Sequence, residues 1–148
     1  MYQGDWRDNL KNAEIFIDML KITLSGQAPK GIIPYHISKH FKNIIPLGVD
    51  DSYILNGVEL ALHGHIGPNG SKGNILSFSK LSEKSIIGHS HSPAIKNGCY
   101  QVGISCAMKH GYNKGLSGWA YAGVTLNKYG KRQMIIFNKN SLTYTTLI

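Results

Sequence analysis

Apolar residues recur at Ala13, Phe16, Ile17, Leu20 and Leu24, a three-to-four spacing that lays one stripe along a helix. Asp8 or Asn9 supplies a cap ahead of it, and the run from Ser25 to Gly31, with Gly26 and Pro29 inside, ends it. A second, shorter helix is predicted over Ile37 to Ile45, closed by Pro46 and Gly48. The pattern then changes. Tyr53-Ile54-Leu55 and Val58 to Leu62 flank Asn56-Gly57, the favoured two-residue hairpin turn, which puts His63 at the end of a strand. Residues 63–73 hold four glycines and a proline and read as a loop, with a brief helix from Asn74 to Leu81. Short strands are predicted at Ser85–Ile87, Tyr100–Val102, Ala120–Leu126, Gln133–Phe137 and Leu142–Thr146, with a turn over Asn127 to Gly130.

This order predicts an α+β fold: N-terminal helices followed by a mixed, mostly antiparallel sheet. One domain is expected over 1–148, helical from about 8 to 46, with the sheet and its loops from about 52 to 148. Hydrophobic residues make up 42% of the 148, a globular composition. No stretch approaches 18 apolar residues, so no membrane span is expected. The opening Tyr2-Gln3-Gly4-Asp5 has no secretory character, which predicts a cytoplasmic protein. Cys99 and Cys106 fit neither a redox pair nor a zinc knuckle and are read as reduced thiols.

Charge divides the chain. Residues 1–83 hold eight basic and eight acidic residues, whereas 84–148 hold eight basic residues and no acid, the source of the whole formal +8. Such a segment suits anionic partners such as DNA, although scattered single lysines also serve simply as solubilising groups.

The candidate chemistry lies in His63-Gly64-His65 and Gly88-His89-Ser90-His91-Ser92-Pro93. Residues i and i+2 of a turning backbone present side chains to neighbouring points, and neutral imidazoles bind Zn, Mn, Fe or Co. Gly64 and Gly88 permit close backbone approach, and Pro93 stiffens the second loop. Surface loop histidines are the plain alternative. His36 and His40, four apart on the second helix, lack the glutamate of a zinc-protease motif, and one exposed with one half-packed ring is expected. His110 reads as a loop histidine. Gly67 to Gly73 is not a Walker loop; it is either a phosphate-facing loop using its amides and Lys72, or a glycine-rich crossover. No nucleophile-elbow serine exists.

Leu62-His63-Gly64 followed by Ile87-Gly88-His89-Ser90-His91-Ser92-Pro93 resembles the closing motifs of calcineurin-like metallophosphoesterases. Gly67, Asn69-Gly70, Gly73, Gly98-x-Tyr100-Gln101-Val102-Gly103, Gly111 to Gly115, Trp119 and Gly130 to Gln133 extend the likeness. Together they look like the C-terminal half of a phage-type member linked to DNA degradation. The resemblance implies part of a four-layer α/β/β/α sandwich. It also implies two divalent metals about 3–4 Å apart whose shared hydroxide attacks phosphorus. Mn²⁺ is the first expectation, with Fe, Zn, Co or Mg as alternatives. By position, His63 and His89 would bind one metal and His91 the other. His65 and Asn69 would contact substrate or support the ligands from behind, and Lys72 and Lys114 would face phosphate.

The family also carries an Asp-x-His, a Gly-Asp supplying the bridging carboxylate, and a Gly-Asn-His-Asp or -Glu loop. None of these occurs in this sequence. Three readings follow. The chain is the C-terminal portion of a dinuclear phosphoesterase or nuclease, inactive until a second polypeptide or an N-terminal half supplies the Asp and Asn ligands, and the apolar face left by the missing layer predicts a partner or self-association. Alternatively it is an inactive scaffold that binds DNA or a protein, or a mononuclear histidine-site protein.

Overall fold

The computed structural model describes residues 10–106, 115–137 and 144–147, with the Tyr144 side chain outside that description. The chain forms two compact units, 1–49 and 50–148. The division falls between the predicted helical and sheet-bearing parts, and the class is the expected mixed α+β with N-terminal helices and a β-sheet core. No helix among the described residues is long and apolar enough to cross a membrane.

In the first unit, α1 spans Leu10–Leu24 as its apolar stripe requires, and Gly26 at φ 70° turns the chain out of it. The predicted caps Asp8 and Asn9 lie outside the described residues. Helix α2 spans Ile32–His40, earlier than the predicted Ile37 to Ile45. Pro34 explains the shift. Its missing N–H falls in the first turn, where helix donors have no internal partner, so proline starts this helix. The Tyr35 N–H closes that turn on the Gly31 carbonyl at 3.2 Å, and Phe41 is already extended. His36 and His40 are both exposed, so the half-packed ring predicted for one of them is not found.

The second unit begins with the predicted hairpin. β1 (Ile54–Leu55) and β2 (Val58–Glu59) flank Asn56 and Gly57, whose φ of 51° and 73° are those of a type I′ turn. After a single turn at Pro68–Gly70, the brief helix α3 (Ile75–Phe78) is capped by Asn74, which accepts from the Ser77 N–H at 3.0 Å. β3 (Lys84–Ile87) follows. β4 (Ala94–Lys96), absent from the sequence reading, forms a second tight hairpin with β5 (Cys99–Gln101) through Asn97 and Gly98 at φ 42° and 84°. These five strands form one mixed sheet in the order β1-β2-β3-β5-β4, with β2, β3 and β5 parallel at its centre. β6 (Tyr121–Leu126), β7 (Arg132–Phe137) and β8 (Tyr144–Leu147) form a separate antiparallel sheet. Its turn is tied by Asn127, whose side-chain oxygen accepts from the Tyr129 and Lys131 N–H groups at 2.9 and 3.0 Å.

β5 is buried along its whole length and shows how the layers meet. On one face Cys99 packs with Ile87 and with Phe78 of α3, and Leu62, Ile75 and Leu81 close around them. On the other, Tyr100 lies beneath the Arg132 guanidinium of β7, 4.3 Å from ring centre to the cation's central carbon. Arg132 Nη1 donates to the Ser85 carbonyl at 2.9 Å and to the Gly98 carbonyl. Burial pushes its pKa down, with Tyr100 and Cys99 acting in the opposite direction. A buried cation held by carbonyls and an aromatic face therefore clamps one sheet to the other. Cys99 and Cys106 are not joined in a disulfide; the first is buried and the second exposed.

Arg132→Met removes both carbonyl bonds and leaves the Ser85 and Gly98 acceptors without that donor. We expect a loss of about 3 kcal/mol in urea unfolding, because hydrogen bonds to charged groups are each worth roughly 1.5–3 kcal/mol. An unchanged midpoint would show that the clamp is dispensable.

Candidate metal centre

The parallel pairing of β2 with β3 sets Val58 opposite Lys84 and Glu59 opposite Ser85, an offset of 26 residues. The same offset separates His63 from His89 and His65 from His91. β2 is shorter than predicted, so His63 stands in the loop beyond it and not at the strand end. Glu59 explains the early stop. Its carboxylate accepts from the Tyr53 and Ala61 N–H groups at 3.0 and 2.7 Å and from the Ser52 hydroxyl, taking over donors that would otherwise extend the ladder. Burial raises its pKa, but the bonds from Ser52, Ala61, Tyr53 and Leu60 together outweigh that and hold it below the ordinary carboxylate value. Pairing resumes further on, where the Gly88 N–H donates to the His63 carbonyl at 2.9 Å.

Two glycines make this approach possible. Gly64 has φ 102°, and a Cβ there would stand 3.0 Å from the Gly88 carbonyl oxygen. A Cβ on Gly73 would stand 1.9 Å from the Gly64 oxygen, while the Gly73 N–H donates to the His65 carbonyl at 3.1 Å. The loop from Gly67 to Gly73 thus folds back on the first histidine pair, with a bridge between Ile66 and Lys72. Its N–H groups at Gly67, Gly70, Ser71 and Gly73 all donate to backbone carbonyls within 2.7–3.3 Å. They are engaged in holding the loop's shape, which favours the crossover reading over an amide cradle for phosphate. Asn69 sits exposed at the tip, in a left-handed conformation at φ 58°.

Three imidazoles gather above these strands. Ring centres are 5.2 Å apart for His63 and His65, 5.3 Å for His63 and His89, and 6.0 Å for His65 and His89. His91 instead meets Trp119 edge to face at 4.5 Å, and its carbonyl accepts the Ala120 N–H at 3.3 Å. Gln101 on β5 steadies the loop by donating to the Ser92 carbonyl at 2.7 Å, ahead of half-buried Pro93. His89 and His91 both adopt left-handed backbone, φ 72° and 62°, with Ser90 between them. Non-glycine residues seldom occupy that region, and two within three residues mark a loop held against its own preference.

For His63 and His89 the surroundings favour the neutral form of the ring. Both rings remain exposed, but partial desolvation by the surrounding loops is the first cause lowering the His63 pKa, followed by the charges of His89, His65 and His91. For His89 desolvation again leads, then His65, His91 and Lys72. Among the described residues, however, no group of three or more His, Cys, Asp or Glu side chains is arranged to hold a metal ion. The imidazoles are neighbours without converging on one point. Lys72 lies close enough to act on His89, while Lys114 and His110 lie outside the described residues. The sequence reading assigned no role to Trp119 or Gln101. Neither had a spacing signal, since both reach the second loop only through contacts made by the folded sheet.

No family model and no solved structure matches the chain. It is similar to Protein A1 of Escherichia phage T5, 38% identical over 95 residues, which is 64% of this chain and 17% of that protein. The chain thus corresponds to less than a fifth of the length of the relative it matches.

Gly73→Ala should cost about 3 kcal/mol or more in thermal unfolding, because its methyl meets backbone with no flexible side chain to yield. Gly70→Ala, at φ 73° with open space around it, should cost only about 1 kcal/mol. Similar losses at both positions would mean that the loop stacking is not what glycine serves.

In the metal-free chain, proton NMR should find His63 and His89 titrating below the ordinary 6.5. The folded state binds these protons less readily than the unfolded state. Stability is therefore fully present above pH 6.5 and falls as pH drops through the two folded-state pKa values. Titration of either ring above 6.5 would contradict the described packing.

Proposed function

We propose that this chain supplies the imidazole side of a dinuclear metal-dependent phosphoesterase that hydrolyses phosphodiester bonds. The carboxylate and asparagine ligands would come from a second polypeptide or from further chain. The observation that supports this most directly is the register of β2 and β3. It carries His63 and His89 side by side beyond the carboxyl ends of two parallel strands, where open α/β sheets commonly bind ligands. The layering of α3, the five-stranded sheet and the three-stranded sheet is compatible with part of an α/β/β/α sandwich.

In this reading His63 and His89 hold one ion and His91 the other. Two divalent ions, Mn²⁺ first, would supply charge neutralisation at the phosphoryl oxygens and an activated water. His65 lies within the trio and shapes the ligand pocket. Lys72, beside His89, offers a cation to the substrate's phosphate, and Trp119 fixes the His91 ring. Similarity to a phage protein makes the cytoplasm of an infected host the proposed location.

A second reading has its own support. Among the described residues no three metal-ligating side chains are in coordinating arrangement, as suits a scaffold that has kept the loops and lost catalysis.

Calorimetric Mn²⁺ titration and hydrolysis of bis(p-nitrophenyl) phosphate separate the two. The chain alone should bind Mn²⁺ weakly and turn over no substrate. Adding a polypeptide with the Asp-x-His, Gly-Asp and Gly-Asn-His motifs should restore turnover, and His89→Ala or His91→Ala should lower it at least a hundredfold. Robust activity of the isolated chain, abolished by His91→Ala, would sink the claim that ligands are missing. Absence of metal binding with and without the second polypeptide would leave the scaffold reading.

A further inference from the structure

The described basic residues of the acid-free stretch 84–148 have a common address. Among the described residues they are Lys84, Lys96, Lys128, Lys131 and Arg132. Lys84 opens β3 and stands opposite Val58, the first residue of β2. Lys96 closes β4 opposite Cys99, the first residue of β5. Lys128 and Lys131 lie in the β6–β7 turn, which docks on the β1–β2 turn through a 3.1 Å bond from the Asn56 side chain to the Asn127 carbonyl. Arg132 reaches the same place, on the carbonyls of Ser85 and Gly98. All five therefore sit where the parallel strands begin. The histidine loops sit where those strands end, five residues or about 16 Å further along β3.

Lys84, Lys96, Lys128 and Lys131 are exposed, and Glu83 is the acid adjoining them in sequence. Between the turn lysines stands Tyr129, 75% exposed, with the Lys128 ammonium 5.0 Å from its ring centre. A large aromatic ring held out in solvent beside cations is the pairing used by single-strand binders, in which lysines track phosphates and a ring stacks on a base.

We propose that this turn-bearing end of the sheet is a docking surface for single-stranded nucleic acid, separate from the histidine loops. It requires no metal and no catalysis, so it stands or falls apart from the phosphoesterase reading. Four exposed lysines set the scale. Neutralising four phosphates gives a salt slope of about −3, or roughly fiftyfold weaker binding between 50 and 200 mM salt.

The test is fluorescence anisotropy of a labelled oligothymidylate with the full chain in EDTA. Replacing Lys84, Lys96, Lys128 and Lys131 with Gln should weaken binding at least tenfold and flatten the salt slope, with the melting temperature preserved. Tyr129→Ala should weaken it about fivefold and leave the slope intact. Removing the same number of charges from the helical unit, at Lys11, Lys21, Lys30 and Lys42, should change affinity less than threefold. Equal losses in the two lysine variants would overturn the surface in favour of undirected charge attraction. So would absence of binding, or binding to phosphatidylserine vesicles with the same lysine dependence and greater strength. Indifference to Tyr129→Ala together with equal affinity for duplex would overturn the single-strand assignment.

Discussion

The hydrogen bond from the Gly88 N–H to the His63 carbonyl is the point at which the sheet becomes a site. β2 and β3 are two and four residues long, too short to dictate by themselves what happens beyond their ends. The bond extends their register past Glu59 and Ile87, and with it the 26-residue offset that brings His63 opposite His89. Gly64 and Gly73 ease that approach: a Cβ at Gly64 would press on the Gly88 carbonyl oxygen at 3.0 Å, and one at Gly73 would overlap the Gly64 carbonyl. Remove that approach and His63, His65 and His89 no longer stand side by side.

A second constraint acts from below. The five-stranded sheet is covered on one face by a helix of only four residues. Its opposite face depends on the β6–β8 sheet, joined to it through Arg132. A planar guanidinium can donate to two carbonyls while its face lies over an aromatic ring, a combination no apolar side chain offers. The same residue ties the starts of β3 and β5 together. The order of the histidine loops at the far ends of those strands thus depends on a cation buried at the near ends.

Much of this was legible in the sequence, for identifiable reasons. Asn56-Gly57 forces a turn, the apolar stripe from Ala13 to Leu24 forces a helix, and Asn127 to Gly130 turns where predicted. Helix α2 was misplaced because Pro34 marks the first turn of a helix rather than a break. β4 was missed because Ala94-Ile95-Lys96 is too short to show a period; the Asn97-Gly98 turn, chemically the twin of Asn56-Gly57, was its available signal. The meeting of His63 with His89 was expected only from the resemblance of their two loops to metallophosphoesterase motifs. The contact of His91 with Trp119 was not, because it depends on how Gln101 and Ala120 hold the second loop after the sheet has formed.

The left-handed backbone at His89 and His91 has a consequence for how these positions drift over evolutionary time. A site that demands positive φ admits glycine, asparagine or aspartate at least as readily as histidine. Loss of function at this loop would therefore leave a recognisable trace. Positions 89 and 91 would slide toward small turn-forming residues while the fold stayed intact. Histidine kept at both across divergent lineages would mean selection on the ring itself, because the backbone has no need of it.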